Sequence, residues 1–302
     1  MINNVSIIGM GALGLMYGDV LTKALGKDAV SFVLNSERVK SYEGRRFTCN
    51  GEAKSFKTVS ENEAAQADLV IVAVKYNSLS SAIKTMKNCV GKDTIILSVL
   101  NGITSEKIIA KAYGSQRILF TVAQGMDAMR FGDDLTYEHM GNLHIGVADE
   151  SQEPLLKEVT EFFERTSMPH IVEKDILHRM WCKFMLNVGV NQVCAAFRTD
   201  YAGSLAKGEA NDTMIGAMRE TIALAGAEGV QISEEDFRFY IDLLGTLEPT
   251  AIPSMAQDVV AGRKTEVDMF AGTVIEMSRK HNLSTPANEY LYKKTKEIEA
   301  EL

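Results

Sequence analysis

Lys183, Asn187 and Asn191 recur every fourth residue in a stretch otherwise made of Phe, Met, Leu, Val and Ala. At 100° per residue the three drift by only about 40° per step, so on a helix they form one polar stripe roughly 12 Å long. Such a stripe is either the wet face of the helix or the lining of a pocket. A wet face draws on Glu, Lys and Gln, which are strong helix formers, whereas asparagine is a poor one, and this gives weight to the lining. A second polar concentration, Ser254-Met255-Ala256-Gln257-Asp258 with Arg263, Thr265, Glu266 and Asp268, reads by itself as a polar interhelical loop and helix cap.

Near the start, Gly9-Met10-Gly11-Ala12-Leu13-Gly14 follows the apolar run Val5 to Ile8 and opens a segment of helical composition reaching about Leu25. In a strand–turn–helix setting the first glycine permits the tight turn and the second lets the backbone approach a pyrophosphate. The third lets helix and strand pack, and the helix N-terminus supplies amides to the anion. A dinucleotide site is the expectation. An acid at the end of the next strand would bind the ribose 2′-hydroxyl of NAD and repel a 2′-phosphate. The residues there are Leu34, Asn35 and Ser36, followed by an outward Glu37 and then Arg38, which favours NADP. Lys75, after the apolar run Leu69 to Val74, stands where a parallel sheet binds ligands and is either a phosphate partner or a solvated strand end. Asn101-Gly102 holds the same position after Thr94 to Val99 and is either a plain turn or a cofactor-contacting amide.

These groups need a frame. Apolar, β-branched runs at 5–8, 29–34, 69–74, 94–99 and 118–123 alternate with helical stretches near 79–88 and 105–112, which reads as a parallel sheet covered on both faces. Asn50-Gly51 marks a hairpin with a type I′ turn. Residues 153–166 look helical and 170–172 extended, and after Asp175 nearly everything carries helical periodicity, with Lys293 to Glu301 as a solvated helical tail. The fold class is α/β, with a Rossmann-type domain over 1–172 and an all-helical domain over 173–302. The chain has 302 residues, enough for two domains. Its 32 Lys plus Arg against 40 Asp plus Glu give a net charge of −8, the wrong sign for holding nucleic acid or an anionic membrane by bulk charge. The longest apolar runs are far short of the ~20 residues of a transmembrane helix, and the glycine-studded N-terminus lacks a secretory signal's basic start. Cys49, Cys89, Cys182 and Cys194 signal neither a disulfide framework nor a zinc site, so buried thiols in a reducing cytoplasm, and no metal, are expected.

Taken in order, Gly9-x-Gly11-x-x-Gly14, Lys75, Asn101-Gly102, Trp181-x-Lys183-x-x-x-Asn187-x-x-x-Asn191 and Ser254-Met-x-Gln-Asp with Arg263-x-Thr-Glu266-x-Asp resemble the ketopantoate reductases, also called 2-dehydropantoate 2-reductases. The match spans nearly the whole chain. The glycine motif is common to many dehydrogenases, while the lysine–asparagine helix and the Ser-Met and Thr-Glu segments are far more specific. The resemblance implies a Rossmann domain followed by a helical domain, with NADPH and substrate in the cleft between them. It casts Lys183 as the catalytic lysine, Glu266 as its carboxylate partner, and Asn101, Asn187, Asn191 and Ser254 as substrate ligands. Residues 9–14, Asn35, Arg38, Lys75 and Asn101 fall to the cofactor. Three positions depart from the family pattern: Asn35 stands where an arginine for the 2′-phosphate is usual, Tyr201 where a substrate-contacting asparagine is, and Ser78 where a glutamine is.

The residue types suit the chemistry that the resemblance implies. Hydride attack on the ketone of a 2-keto acid builds negative charge on oxygen, which Lys183 can meet with both charge and proton. Partial burial lowers the lysine pKa towards neutrality, and Glu266 orients it and opposes that shift. The expected reaction is ketopantoate to pantoate. The rivals are reduction of another branched 2-keto acid, favoured as far as Tyr201 reshapes the pocket, and a non-catalytic NADP sensor on the same scaffold. Lys183 with Glu266 argues against the sensor, which needs no proton donor. The resemblance leaves a homodimer open.

Overall fold

The computed structural model describes residues 1–302, which divide into two compact units, Met1–Ile176 and Leu177–Leu302. In the first, β1 (Val5–Ile8), β2 (Val30–Leu34), β5 (Lys57–Ser60), β6 (Leu69–Val72), β7 (Ile95–Ser98), β8 (Ile118–Met126), β11 (Met140–Gly146) and β12 (His170–Val172) form one sheet. Its order is β12-β11-β8-β7-β6-β1-β2-β5, parallel throughout except for the antiparallel β11–β8 pair. The strand order reverses beside β1, where β2 lies on one side and β6 on the other, and a doubly wound sheet opens its ligand crevice at such a point.

Apart from Ser6, Ser31 and Ser98, every residue of β1, β2, β6 and β7 is apolar, because both faces of these central strands are covered. Ile7, Phe32, Ile71 and Leu97 point to one core, shared with Leu15, Met16 and Tyr17 of α1 (Ala12–Leu25) and with Val159 and Phe163 of α5 (Glu153–Arg165). Ile8, Val33, Val70, Val72 and Ile96 point to the other, with Leu79 and Ala82 of α3 (Leu79–Thr85) and Ile109 of α4 (Ser105–Tyr113). One residue of register separates the two faces.

The first half also holds a small second sheet, of which the sequence marks only the Asn50-Gly51 hairpin. After α2 (Ser36–Tyr42), β3 (Phe47–Cys49), β4 (Glu52–Lys54), β9 (Met129–Phe131) and β10 (Asp134–Thr136) make a small sheet of order β4-β3-β10-β9. Asn50 and Gly51 do form the turn between β3 and β4, both with positive φ, as a type I′ hairpin requires. β5, β9 and β10 leave no such mark because they are only three or four residues long, and β10 pairs with β3, 86 residues before it (Asp134 with Thr48).

The second unit is helical: α6 (Ile176–Ala196), α7 (Tyr201–Leu205), α8 (Glu209–Ala227), α9 (Glu234–Gly245), α10 (Ser254–Val260), a π turn (Asp268–Gly272), α11 (Thr273–Lys280) and α12 (Pro286–Glu301). One expectation fails here. Residues 293–301 belong to α12, whose Leu291, Thr295 and Ile298 are buried, so this segment is a packed helix rather than a solvated tail. Its charges mislead because Lys296 and Glu299 turn towards the Thr265–Asp268 segment. No helix is long and apolar enough to cross a membrane.

Candidate active site

In the first unit the glycine turn sits at the reversal of the strand order. Gly9 has φ 112°, and a Cβ there would run into the Ala73 carbonyl oxygen, while one on Gly14 would strike the Gly9 carbonyl. Gly11 differs: a Cβ would meet nothing nearer than 3.9 Å, so the protein's own packing does not demand glycine there. The open space over Gly11 suits a close-lying phosphate, and α1 brings its first amides to it with no acid in its first turn.

Beside the turn lies a cavity of about 220 Å³ lined by Gly9, Leu34, Asn35, Arg38, Ser78, Ser81 and Thr85 among others. Arg38 and the three hydroxyls give it the makings of an anion pocket, and no carboxylate lines it. Glu37 is exposed and does not line it. The Asn35 side chain has a local task, capping α2 by accepting from the Arg38 backbone N–H at 2.9 Å. The cap fixes the backbone from which Arg38 projects. Lys75 is exposed and lies immediately before the 3₁₀ turn Tyr76–Ser78.

Arg130 was not singled out in the sequence, because nothing local to β9 marks it. Its guanidinium donates to the Met10 carbonyl of the glycine turn, stacks against Tyr42 with Arg38 and Arg45, and pairs with Asp133 at 3.5 Å. The small sheet thereby braces the turn. Asn101 and Gly102, the latter at φ 90°, occupy the loop between β7 and α4. Beneath that loop Ser98 Oγ donates to Ser105 Oγ at 2.7 Å, and Ser105 Oγ to Glu106 at 2.9 Å. Burial pushes the Glu106 carboxyl up to about 7, against the hydrogen bonds that favour its charged form.

In the second unit α6 carries the polar row. Asn187 and Asn191 are 8% and 6% exposed, so this is no wet face. Asn191 Nδ2 donates to Asn187 Oδ1 at 3.1 Å, and Asn191 Oδ1 accepts from Ser254 Oγ at 3.2 Å and from the Met255 N–H at 3.3 Å. One asparagine thus ties α6 to the first turn of α10. Lys183, half-buried on the same helix, has its pKa lowered to about 8, first by desolvation. The Glu266 charge opposes that shift and Arg179, one turn earlier, adds to it. Glu266 is 8% exposed and precedes the π turn, its carbonyl accepting from Met269 and Phe270.

The segment around Glu266 is held from α12. Glu299 accepts from the Thr265 N–H at 2.8 Å and its hydroxyl at 2.6 Å, and Asp268 accepts from Tyr292 and Lys296, both at 2.8 Å. Asp258, buried in α10, pairs with Arg263 at 2.9 Å. Tyr201 opens α7, its N–H bonded to the Ala251 carbonyl at 3.2 Å, and burial pushes its phenol up to about 12. A cation near its neutral point beside neutral amides and a hydroxyl can donate a proton to a developing alkoxide while the amides orient a carboxylate.

The pattern of the family described as Ketopantoate reductase PanE/ApbA matches residues 5–150, and that of its C-terminal part residues 175–299. The 2-dehydropantoate 2-reductase of Aquifex aeolicus is 29% identical over 302 residues, covering 96% of this chain and 95% of that protein. Among solved structures, D-mandelate dehydrogenase with NADH and anilino(oxo)acetate superposes with a TM-score of 0.88 at 21% identity, covering 99% of this chain and 98% of the other. A dimeric ketopantoate reductase from Staphylococcus aureus gives 0.82 at 20%, with 99% of both chains covered. With its two halves matched in order to the two parts of one family, this chain belongs to the ketopantoate reductases, oxidoreductases that bind a nicotinamide dinucleotide.

Proposed function

We propose that this protein reduces 2-dehydropantoate to pantoate with NADPH, and that Lys183 delivers the proton to the carbonyl oxygen. The observation that carries the reading is that Asn187 and Asn191, hydrogen-bonded to each other and, through Asn191, to Ser254 of α10, lie on the same helix as a lysine of pKa about 8. When bound, the reduced nicotinamide supplies a hydride to the ketone carbon. Gly9, Met10, Gly11, Ala12, Leu13 and Gly14 take the pyrophosphate on backbone amides, and Arg38, with Lys75 in support, takes the 2′-phosphate. Asn101 orients the cofactor and the keto acid. Asn187, Asn191 and Ser254 hold the substrate's carboxylate and hydroxyl without bringing in a competing charge, and Glu266 aims the lysine. In this reading the protein acts as a homodimer.

A steady-state assay of NADPH oxidation against a panel of 2-keto acids tests the reading. Ketopantoate should give the highest kcat/KM, with NADPH preferred to NADH. Preference for a different branched or aromatic 2-keto acid would replace the substrate, and Tyr201, in the position of a usual asparagine, is the residue that favours this second reading. Turnover with none of them would leave a dinucleotide sensor.

A further inference from the structure

His178 and Cys182 stand four residues apart at the start of α6, and Asp236 reaches them from the first turn of α9. His178 Nε2 lies 3.5 Å from Cys182 Sγ and 3.2 Å from Asp236 Oδ2, and all three ligand atoms fall within 4.8 Å of one another. We propose that these three side chains bind a divalent transition ion of the zinc type, which clamps α6 to α9. The argument is metric. A tetrahedral ion at about 2.3 Å from sulfur and about 2.1 Å from nitrogen and oxygen spaces those ligand atoms about 3.4 to 3.6 Å apart. The 3.5 Å Cys182–His178 edge falls in this range, and the 3.2 Å His178–Asp236 edge, now a hydrogen bond, needs to open only slightly to admit an ion.

The donor set points the same way. A thiolate with an imidazole and a carboxylate selects a thiophilic ion over magnesium or calcium, which prefer oxygen alone. Cys182 is buried, whereas the His178 and Asp236 side chains are 34% and 28% exposed, so an ion has a way in and a coordination position left for water. Asp236 already has its support: Ser233 donates to Oδ2 from its N–H at 2.8 Å and from its hydroxyl at 2.6 Å, in the capping box of α9. Such supporting bonds fix a ligand's orientation. The neighbouring cation, Arg179, is occupied with the Tyr240 hydroxyl at 3.2 Å. Binding exchanges protons for metal: the Cys182 thiol releases its proton to solvent, and Nε2 enters as an unprotonated lone pair.

Cys182 directly precedes Lys183 on α6, so the site is tested by binding rather than by turnover. The full-length protein, stripped with a chelator, is titrated with Zn²⁺ by calorimetry and with Co²⁺ by absorbance. One Zn²⁺ should bind per chain and raise the thermal midpoint, and Co²⁺ should show a thiolate charge-transfer band. Loss of a supporting group alone typically costs about 10- to 100-fold in affinity, so His178→Gln and Cys182→Ser should each lose at least that, and the cobalt band should vanish in Cys182→Ser. Were Cys182→Ser not to fold, the wild-type cobalt band and the His178→Gln titration decide alone. Absence of binding, binding unchanged by His178→Gln, or a cobalt spectrum without a thiolate band would overturn the proposal. Unchanged binding would move the ion to the exposed Asp127, Glu138 and His139 group.

Discussion

Lys183 is pulled two ways: desolvation favours its neutral form and the Glu266 carboxylate its charged form, leaving a pKa of about 8. A lysine so placed is protonated at neutral pH and parts with the proton easily. Reduction should therefore slow as pH rises through about 8, because the proton-donating form disappears, and this limb should be absent in Lys183→Ala. That variant should lose ~10²-fold or more in kcat while still binding NADPH, since general acid catalysis contributes about 10²- to 10⁴-fold. Glu266→Gln should cost less, and almost nothing further in the Lys183→Ala background, because groups acting as a unit are not additive. Normal turnover by Lys183→Ala would transfer the proton to water or another group. At the other end of the cofactor, Arg38→Ala should raise the Kd for NADPH and leave that for NADH unchanged. An equal loss for both would mean that the guanidinium, which also packs on Tyr42, serves the fold instead.

At the scale of elements, the helix that ends the chain positions a loop far from it in sequence. Glu299 of α12 holds both donors of Thr265, next to Glu266. Glu299→Ala should reduce kcat more than it raises KM and should shift the pH limb of Lys183, as a displaced Glu266 supports its charge less. A fall in melting temperature with an unmoved pH limb would make Glu299 structural only. In the other half, Glu106 is a carboxyl whose folded pKa, about 7, exceeds its ordinary 4.5. Between those two values the native state holds a proton that the unfolded chain has released, so Glu106 makes stability fall as pH rises across that window. Glu106→Gln does not titrate, so its melting temperature relative to the parent should be more favourable at pH 8 than at pH 5. A difference that is constant with pH would show that burial does not raise this pKa.

For the whole molecule, the cofactor reading divides labour between two compact units, with every proposed phosphate ligand in Met1–Ile176. At about a hundred times its Kd, NADPH should add about 2.7 kcal/mol to native stability. In hydrogen–deuterium exchange, NADPH alone should protect residues 9–15, 35–39 and 75–85 and leave the amides of α8 and α12 unchanged. Protection confined to residues 177–302 would contradict the assignment of the glycine turn.

The sequence by itself determined what is local or periodic. The strand–turn–helix around Gly9 to Gly14, the both-faces-apolar strands of the sheet, the Asn50-Gly51 hairpin and the polar row on α6 each follow from short-range sterics or helical spacing. The order in which the motifs run carried the resemblance to the ketopantoate reductases as well. Only the tertiary structure decided which groups meet across long stretches of chain: Arg130 against the Met10 carbonyl, Glu299 on Thr265, and Asp236 beside His178 and Cys182. It also decided that Asn187 and Asn191 are buried, and that Asn35 spends its side chain on a helix cap. The reason is physical. Backbone preference and hydrophobic period act within a turn or a strand, whereas a side-chain contact between distant segments depends on packing of whole elements, which no local window contains.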